Sequence, residues 1–296
     1  MERIHTVTSS ADTRVLVLGA SGMLGHTVFR LFAQSVGFDV AGSVRSAGLL
    51  RHLPEALRHR VVVGVDVENT ESLAVLFGRV HPQVVINCIG LVKQVAEAND
   101  PRAAIAINAL LPHRLATLCQ VAGARFIHVS TDCVFAGTTG MYQEADAADA
   151  KDLYGLTKYL GEVDYPHAVT LRTSIIGQEL DSAHGLLGWF LGQQGTVKGF
   201  THAIFSGMPT VELARVMRDF VLPRPVLHGV YHVSAAPITK YDLLHLVAQA
   251  YGKAIQIVPD DYLRIDRSLD GTRFRSLTGY APPSWPELVR AMCEFG

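Results

Sequence analysis

One stretch limits the possible folds more than any other. Arg14-Val-Leu-Val-Leu is a short apolar run that leads straight into Gly19-Ala-Ser-Gly22-Met-Leu-Gly25. A helical pattern follows from about Gly22 to Gln34. A buried strand, a glycine turn and a helix in that order make half of a βαβ unit, which builds a parallel sheet. Glycines let the chain turn tightly and bring backbone N–H groups close to a pyrophosphate. The helix N-terminus adds partial positive charge. The spacing is GxxGxxG rather than GxGxxG, so a purely structural turn is the competing reading. The flanking strand and helix favour a bound dinucleotide. Gly19, Ser21, Gly22, Met23, Leu24 and Gly25 are therefore cofactor candidates.

The rhythm continues. Further strands are expected at Phe38–Val44, Val61–Val65, Gln83–Cys88, Arg125–Ser130 and Ala168–Leu171, with helices near 70–80 and 101–121. Apolar strands alternating with helices indicate a doubly wound α/β fold, a parallel sheet covered on both faces. After Gly177 the rhythm breaks into the Gly-rich aromatic stretch 185–207. A helix is expected after Pro209-Thr210, a strand at Gly229–Ser234 and a capping box at Thr239-x-x-Asp242. Leu243, Leu246, Val247, Ala250 and Tyr251 then share one apolar helical face, stopped by Gly252. A last helix follows Pro282-Pro283. The expected organisation is a disordered leader over 1–13 and a dinucleotide-binding domain over 14–177 plus about 209–234. A smaller substrate-binding part covers 178–208 and 235–296.

Composition excludes several functions. The chain has 296 residues, 49% hydrophobic and 18% charged, which is the make-up of a folded globular protein. Its 26 basic residues balance 27 acidic ones, giving no electrostatic case for nucleic acid or an anionic membrane. No apolar run approaches the ~20 residues of a membrane span. The first thirteen residues lack the apolar core of a signal peptide. The four cysteines, at 88, 119, 133 and 293, show no CxxC spacing, so reduced thiols in a cytoplasm are expected and no metal site is assigned. A homodimer is kept open.

Three further groups carry chemistry. Strand two is expected to end at Val44, and the Arg45-Ser46 that follows suits a 2′-phosphate by bidentate hydrogen bonds. That favours NADPH, with NADH as the alternative. Tyr154-Gly-Leu-Thr-Lys158 puts a phenol and an ammonium on one helical face. A nearby cation is expected to lower the tyrosine pKa, making it a usable general acid or base. Ser130-Thr131-Asp132 ends strand five, where a hydroxyl can reach a substrate carbonyl.

With these residues in view, the chain resembles the extended short-chain dehydrogenase/reductase superfamily with its Rossmann-like sheet. Within it, the chain is similar to dTDP-4-dehydrorhamnose reductases and related sugar-nucleotide reductases. The carrying motifs are VLVLGASGMLG at 15–25, VVINCIG at 84–90, HVSTDCVFAG at 128–137, YGLTKYLGE at 154–162 and LRTSIIG at 171–177. The resemblance implies catalytic Thr131, Tyr154 and Lys158: Thr131 binds the substrate oxygen, Tyr154 donates a proton to a sugar C4 oxygen, and Lys158 lowers the tyrosine pKa and holds the nicotinamide ribose. It also implies that Asp66 and Val67 flank an adenine, that Cys88, Ile89 and Gly90 line the cofactor cleft, and that Asn108 lies on a core helix behind the site.

Departures from the family pattern bear on the substrate. Cys133 stands where the related dehydratases carry Glu, and where the rhamnose enzymes carry Tyr. Ile175 stands for their Trp. A UDP-linked 4-keto-6-deoxy sugar is then as good a candidate as dTDP-4-dehydrorhamnose. Cys133 also matches the acid–base cysteine of GDP-fucose synthases, so an epimerase is an alternative; a small buried residue beside the site is the plainer reading. A third reading is a regulatory subunit of methionine adenosyltransferase, which resembles the same family. Asp132, Cys133 and Ile175 are substrate candidates, with Lys93, Lys198, Phe200, Thr201, Phe205 and Ser206. An ammonium suits a diphosphate, and an aromatic ring stacks on a base or sugar.

Overall fold

A computed structural model describes residues 12–93 and 99–296. Most of the expected leader lies outside the described residues, and Thr13 already belongs to a strand. In chain order the first elements are β1 (Thr13–Leu18), α1 (Met23–Ala33), β2 (Phe38–Val44), β3 (Val61–Val63), α2 (Thr70–Val80) and β4 (Val84–Asn87). Next come α3 (Pro101–Ala104), a π-helical turn (Ile105–Leu110), α4 (Leu111–Ala122), β5 (Arg125–Thr131), α5 (Leu153–Leu160), β6 (Ala168–Thr173) and β7 (Ile175–Ile176). The rest comprises α6 (Leu186–Gly192), β8 (Thr196–Phe205), β9 (Met208–Pro209), α7 (Thr210–Val216), β10 (Gly229–His232) and β11 (Ile238–Thr239). Then follow α8 (Lys240–Ala250), β12 (Gln256–Asp266), α9 (Thr272–Thr278) and α10 (Trp285–Phe295).

Seven strands form one sheet in the order β3-β2-β1-β4-β5-β6-β10, and every pair is parallel. The order reverses between β1 and β4. Ligands in such sheets bind at that switch point, outside the carboxyl ends of the strands. The continuous apolar run of β1 is explained by its two buried faces. Val15 and Val17 enter a core with Phe29 and Phe32 of α1 and Leu213 of α7. Leu16 and Leu18 enter a second core with Leu73 and Leu76 of α2 and Leu115 of α4. Alternation along the strand thus divides one run between two helical layers.

A second, three-stranded sheet has the order β11-β8-β12, with β8 and β12 parallel. It buries Val197, Phe205 and Ile257 with Phe190, Leu243, Val247, Trp285 and Leu288. The ten-residue β8 was not expected in a stretch so rich in glycine. Gly199 explains its place, because a Cβ there would lie 2.9 Å from the Tyr241 ring of α8. The partner β12 carries Pro259 and four charged residues, and it stands at a sheet edge where proline is tolerated. Elsewhere β3 stops at Val63, two residues short of expectation, and β6 runs on to Thr173.

Candidate active site

The glycine turn is built as the spacing implies. Gly19 has φ +77°, and a Cβ on it would lie 2.8 Å from Ile89 Cγ1. A Cβ on Gly25 would run into the Gly19 carbonyl oxygen, so α1 sits directly on the turn. Gly22 caps α1 without a side chain, and the first turn holds no acid. Its amides are therefore available to an external anion. This cradle suits a pyrophosphate. Arg45 and Ser46 follow β2, with Arg45 exposed and Ser46 accepting from Gly48 N at 3.4 Å. Asp39, at the opposite end of β2, lies 3.5 Å from Arg60 and away from this crevice. Asp66 turns the chain after β3 by accepting from Glu68 N at 3.0 Å, and Val67 packs on the second core.

Cys88, Ile89 and Gly90 follow β4. Burial pushes the Cys88 thiol up to about 12, so it stays protonated and inert. Asn108, in the π-helical turn, clasps Leu91: its Oδ1 accepts from Leu91 N at 2.9 Å and its Nδ2 donates to Leu91 O at 3.0 Å. A Cβ on Gly90 would stand 3.5 Å from Asn108 Oδ1 and 4.0 Å from Lys158 Nζ. The expected helix over 101–121 is thus interrupted where Asn108 grips the cofactor-cleft loop.

Thr131, Tyr154 and Lys158 converge from β5 and α5. Asp152 caps α5 by accepting from Gly155 N at 3.0 Å. Gly155 and Gly161 let α5 pack closely, because a Cβ on either would strike the Cys133 or the Asn108 carbonyl oxygen. Lys158 is buried and donates to Val129 O at 2.8 Å. Burial pulls its ammonium down to about 8, against a smaller upward pull from Glu162. Tyr154 departs from expectation. Burial holds its phenol above the ordinary value, the neighbouring Cys133 adds to this, and the Thr131 hydroxyl only partly opposes it. Desolvation prevails here, so Tyr154 keeps its proton at neutral pH and is poised as a donor.

Asp132 is buried, and burial raises its carboxyl against the pull of the Arg267 and Lys240 cations. It accepts from Thr131 Oγ1 at 3.1 Å. The Cys133 N–H donates to Thr131 Oγ1 at 3.1 Å. Burial pushes the Cys133 thiol up to about 11, and its side-chain partner among the described residues is Arg267 Nη1 at 3.9 Å. Among the described residues no histidine meets it, so the acid–base reading of Cys133 has no geometric support there.

A buried ion pair that sequence reasoning did not single out lies beneath these residues. Glu162 accepts from Arg172 Nε and Nη2, both at 2.7 Å, and from Ser130 Oγ at 2.7 Å. Arg172 Nη1 faces His232 Nε2 at 3.3 Å, and His232 Nδ1 meets Tyr142 O at 2.9 Å. The carbonyl fixes the proton on Nδ1, leaving a neutral ring. Burial and the Arg172 charge lower the His232 pKa to about 4. Unfolded histidine binds a proton below about 6.5. His232 therefore contributes stability above that pH, and the contribution is lost as pH falls from about 6.5 towards 4. We expect the melting temperature to fall with pH across this window, and the slope to be shallower in His232→Gln. An unchanged slope in that variant would remove His232 as the cause.

The substrate candidates separate. Lys93 pairs with Asp152 at 2.9 Å and lies 5.6 Å from the centre of the Tyr154 ring. Ile175 is half-buried in β7 and pairs with Met208. Phe205 is a correction: it is buried against Trp285, with centroids 5.6 Å apart, and presents no face to a ligand. Ser206 is likewise buried, accepting from Leu269 N at 2.9 Å. Lys198 pairs with Asp260 at 3.1 Å. It precedes Phe205 by seven residues, roughly 23 Å along an extended strand. Phe200 and Thr201 share that distant part of β8, and Thr201 Oγ1 donates to Asp260 O at 3.3 Å. Residue type alone suggests the lysine and aromatics of β8 as ligands, and the burial of Phe205 and the Lys198–Asp260 pair oppose it. Among the described residues no cluster of metal-ligating side chains forms, and no helix is long and apolar enough to cross a membrane.

A sheet ordered 3-2-1-4-5-6-10, a glycine turn at its switch point and a Thr–Tyr–Lys group at the neighbouring strand end define an extended short-chain dehydrogenase/reductase with a Rossmann-like core. More narrowly, the chain belongs to the family described as RmlD substrate binding domain, which it matches over residues 13–294. It is 30% identical to methionine adenosyltransferase 2 subunit beta of Danio rerio, over 80% of this chain and 74% of that protein. It is 34% identical to the probable low-salt glycan biosynthesis reductase Agl14 of Haloferax volcanii, over 54% of this chain and 52% of that one. A dTDP-4-dehydrorhamnose reductase of Bacillus anthracis, solved with NADP, superposes with a TM-score of 0.77 at 19% identity. That match covers 95% of this chain and 98% of the other.

Proposed function

We propose that the protein uses NADPH to reduce the 4-keto group of a nucleotide-linked 4-keto-6-deoxy sugar, in surface-polysaccharide or glycoside synthesis. The dTDP- and UDP-linked forms are both candidates. The observation that carries the reading is Tyr154, held protonated beside Thr131 and one helical turn from the buried Lys158. The turn from Gly19 to Gly25 would hold the pyrophosphate, Arg45 and Ser46 the adenosine ribose and its phosphate, and Cys88 to Gly90 with Lys158 the nicotinamide end. The bound dinucleotide supplies the hydride. Thr131 orients the ketone oxygen. Tyr154 gives that oxygen its proton as charge develops. Lys158, protonated below about 8, places positive charge beside the developing alkoxide.

The experiment is absorbance at 340 nm with NADPH and, separately, NADH, against dTDP- and UDP-linked 4-keto-6-deoxy sugars. Oxidation with one of them and a preference for NADPH is the expected result. The match to methionine adenosyltransferase 2 subunit beta supports a second reading, a non-catalytic subunit of the same fold. Silence with every sugar, together with clear NADP(H) binding by calorimetry, would favour that subunit over the reductase.

A further inference from the structure

Asn87 is the last residue of β4, and His128 stands directly across from it in β5. Both side chains are buried. Asn87 Oδ1 accepts from Ile89 N at 3.1 Å. With its oxygen engaged, the amide turns Nδ2 to the ring and donates to His128 Nδ1 at 3.2 Å. His128 therefore carries its proton on Nε2. Burial, with Lys158 and His113 adding to it, holds the ring pKa well below its ordinary value. The ring stays neutral and Nδ1 stays an acceptor.

This contact bears on the cofactor cleft. Ile89 lies over the glycine turn, since a Cβ on Gly19 would stand 2.8 Å from Ile89 Cγ1 and 3.5 Å from the Cys88 carbonyl. The Gly19 carbonyl oxygen accepts from Gly22 N at 3.0 Å and abuts Gly25 in the first turn of α1. A shift of Cys88 and Ile89 is thus passed to the amides that suit a pyrophosphate. Asn108 holds the far side of the same loop and fixes its own orientation, because it engages both Leu91 N and Leu91 O. Asn87 engages only an N–H of the loop, so the other half of its amide is fixed by His128. Packing does not require a histidine here. The ring stacks on Phe126 with centroids 6.1 Å apart, and Nε2 meets no protein group among the described residues. An apolar side chain of similar volume would serve that packing equally well. What histidine adds is the acceptor for Asn87.

We infer that His128 is a positioning residue for the dinucleotide: it fixes the amide of Asn87 and so holds Cys88 to Gly90 in place against the glycine turn. The inference rests on the dinucleotide of the proposed function and is independent of which sugar is reduced. A loop whose conformation is set beforehand loses little freedom on binding. Loosening this one therefore weakens the cofactor without removing any group that touches it. Successive residues of β5 then serve the site in turn. His128 acts through Asn87, the Val129 carbonyl holds Lys158, Ser130 holds Glu162, and Thr131 stands beside Tyr154.

Calorimetric titration with NADPH tests this without any turnover, with thermal melting on the same samples. His128→Phe keeps a flat ring and removes the acceptor, and His128→Leu removes it with less volume should the larger ring not fit. His128→Asn returns an amide oxygen near the place of Nδ1. The expected result is NADPH binding weakened about tenfold in His128→Phe and His128→Leu, with most of the loss restored in His128→Asn. Asn87→Ala should weaken NADPH at least as much. Adding His128→Phe to Asn87→Ala should cost nothing further, since the histidine acts through Asn87. The melting temperature of His128→Phe should stay within about 3 °C of wild type. Wild-type affinity in both His128→Phe and His128→Leu overturns the inference. So does an affinity that falls in step with the melting temperature and is not restored in His128→Asn, which marks a merely structural role. Wild-type protein that binds no NADPH overturns it together with the cofactor reading. If NADPH binding depends on His128 and no 4-keto sugar is reduced, the inference stands and the reductase reading fails.

Discussion

Tyr154→Phe is expected to lower kcat by at least ~10²-fold, the usual contribution of a positioned general acid, while leaving the affinity for NADPH within about twofold of wild type. The substitution removes one oxygen and keeps the ring. The ring's place is set by the Asp152 cap of α5 and by close packing at Gly155, neither of which involves the hydroxyl. The structure also sets the direction of the pH profile. The phenol sits above its ordinary value and Lys158 near 8, so a rate that needs both groups protonated should decline above about pH 8. Lys158 is the group lost first. Lys158→Met should remove that alkaline limb and also weaken NADPH, separating the two roles. Near-normal turnover in Tyr154→Phe would eliminate Tyr154 as the proton donor.

Much of this site is legible in the sequence because its parts are local. The glycine turn lies within seven residues, and its demands are steric: the positive φ of Gly19 and the missing Cβ of Gly25 act between near neighbours. Tyr154 and Lys158 lie one helical turn apart, so spacing alone brings them together. The pKa of Tyr154 is not legible in the sequence for a different reason. Spacing reports the nearby cation but not the depth of burial, and burial is the larger effect. The residues that sequence reasoning missed are brought in by distant strands. Arg267 reaches Cys133 across 134 positions. Glu162 is the last residue of the YGLTKYLGE motif and Arg172 the second of LRTSIIG, but only the chain after α5 meeting β6 makes them partners. Phe205 and Lys198 fail in the opposite sense, since residue type suggested a ligand and a strand buried one and displaced the other.

The largest effect on stability is expected at Arg172. Its side chain and that of Glu162 are 5% and 6% exposed, deep enough that neither charge can be resolvated if the other is removed. Breaking such a pair typically costs about 3–5 kcal/mol. For a chain of this size Arg172→Met should then lower the melting temperature by roughly 10 °C. The loss should depend on pH. Glu162 would keep only the Ser130 hydroxyl among its present partners, and an unpaired buried carboxylate has a raised pKa. The variant recovers stability as that group takes a proton, so its deficit against wild type should be smaller at pH 5.5 than at pH 8. Glu162→Gln combined with Arg172→Met removes both charges and should be more stable than Arg172→Met alone, a coupling that additive effects cannot produce. A deficit below about 1 kcal/mol with no pH dependence would show that the pair is not what joins α5 to the sheet. Lys158 and Glu162 hold consecutive β5 residues, Val129 and Ser130, immediately before Thr131. Loss of the pair should therefore reduce turnover as well as stability, because it loosens the strand that presents Thr131 to Tyr154.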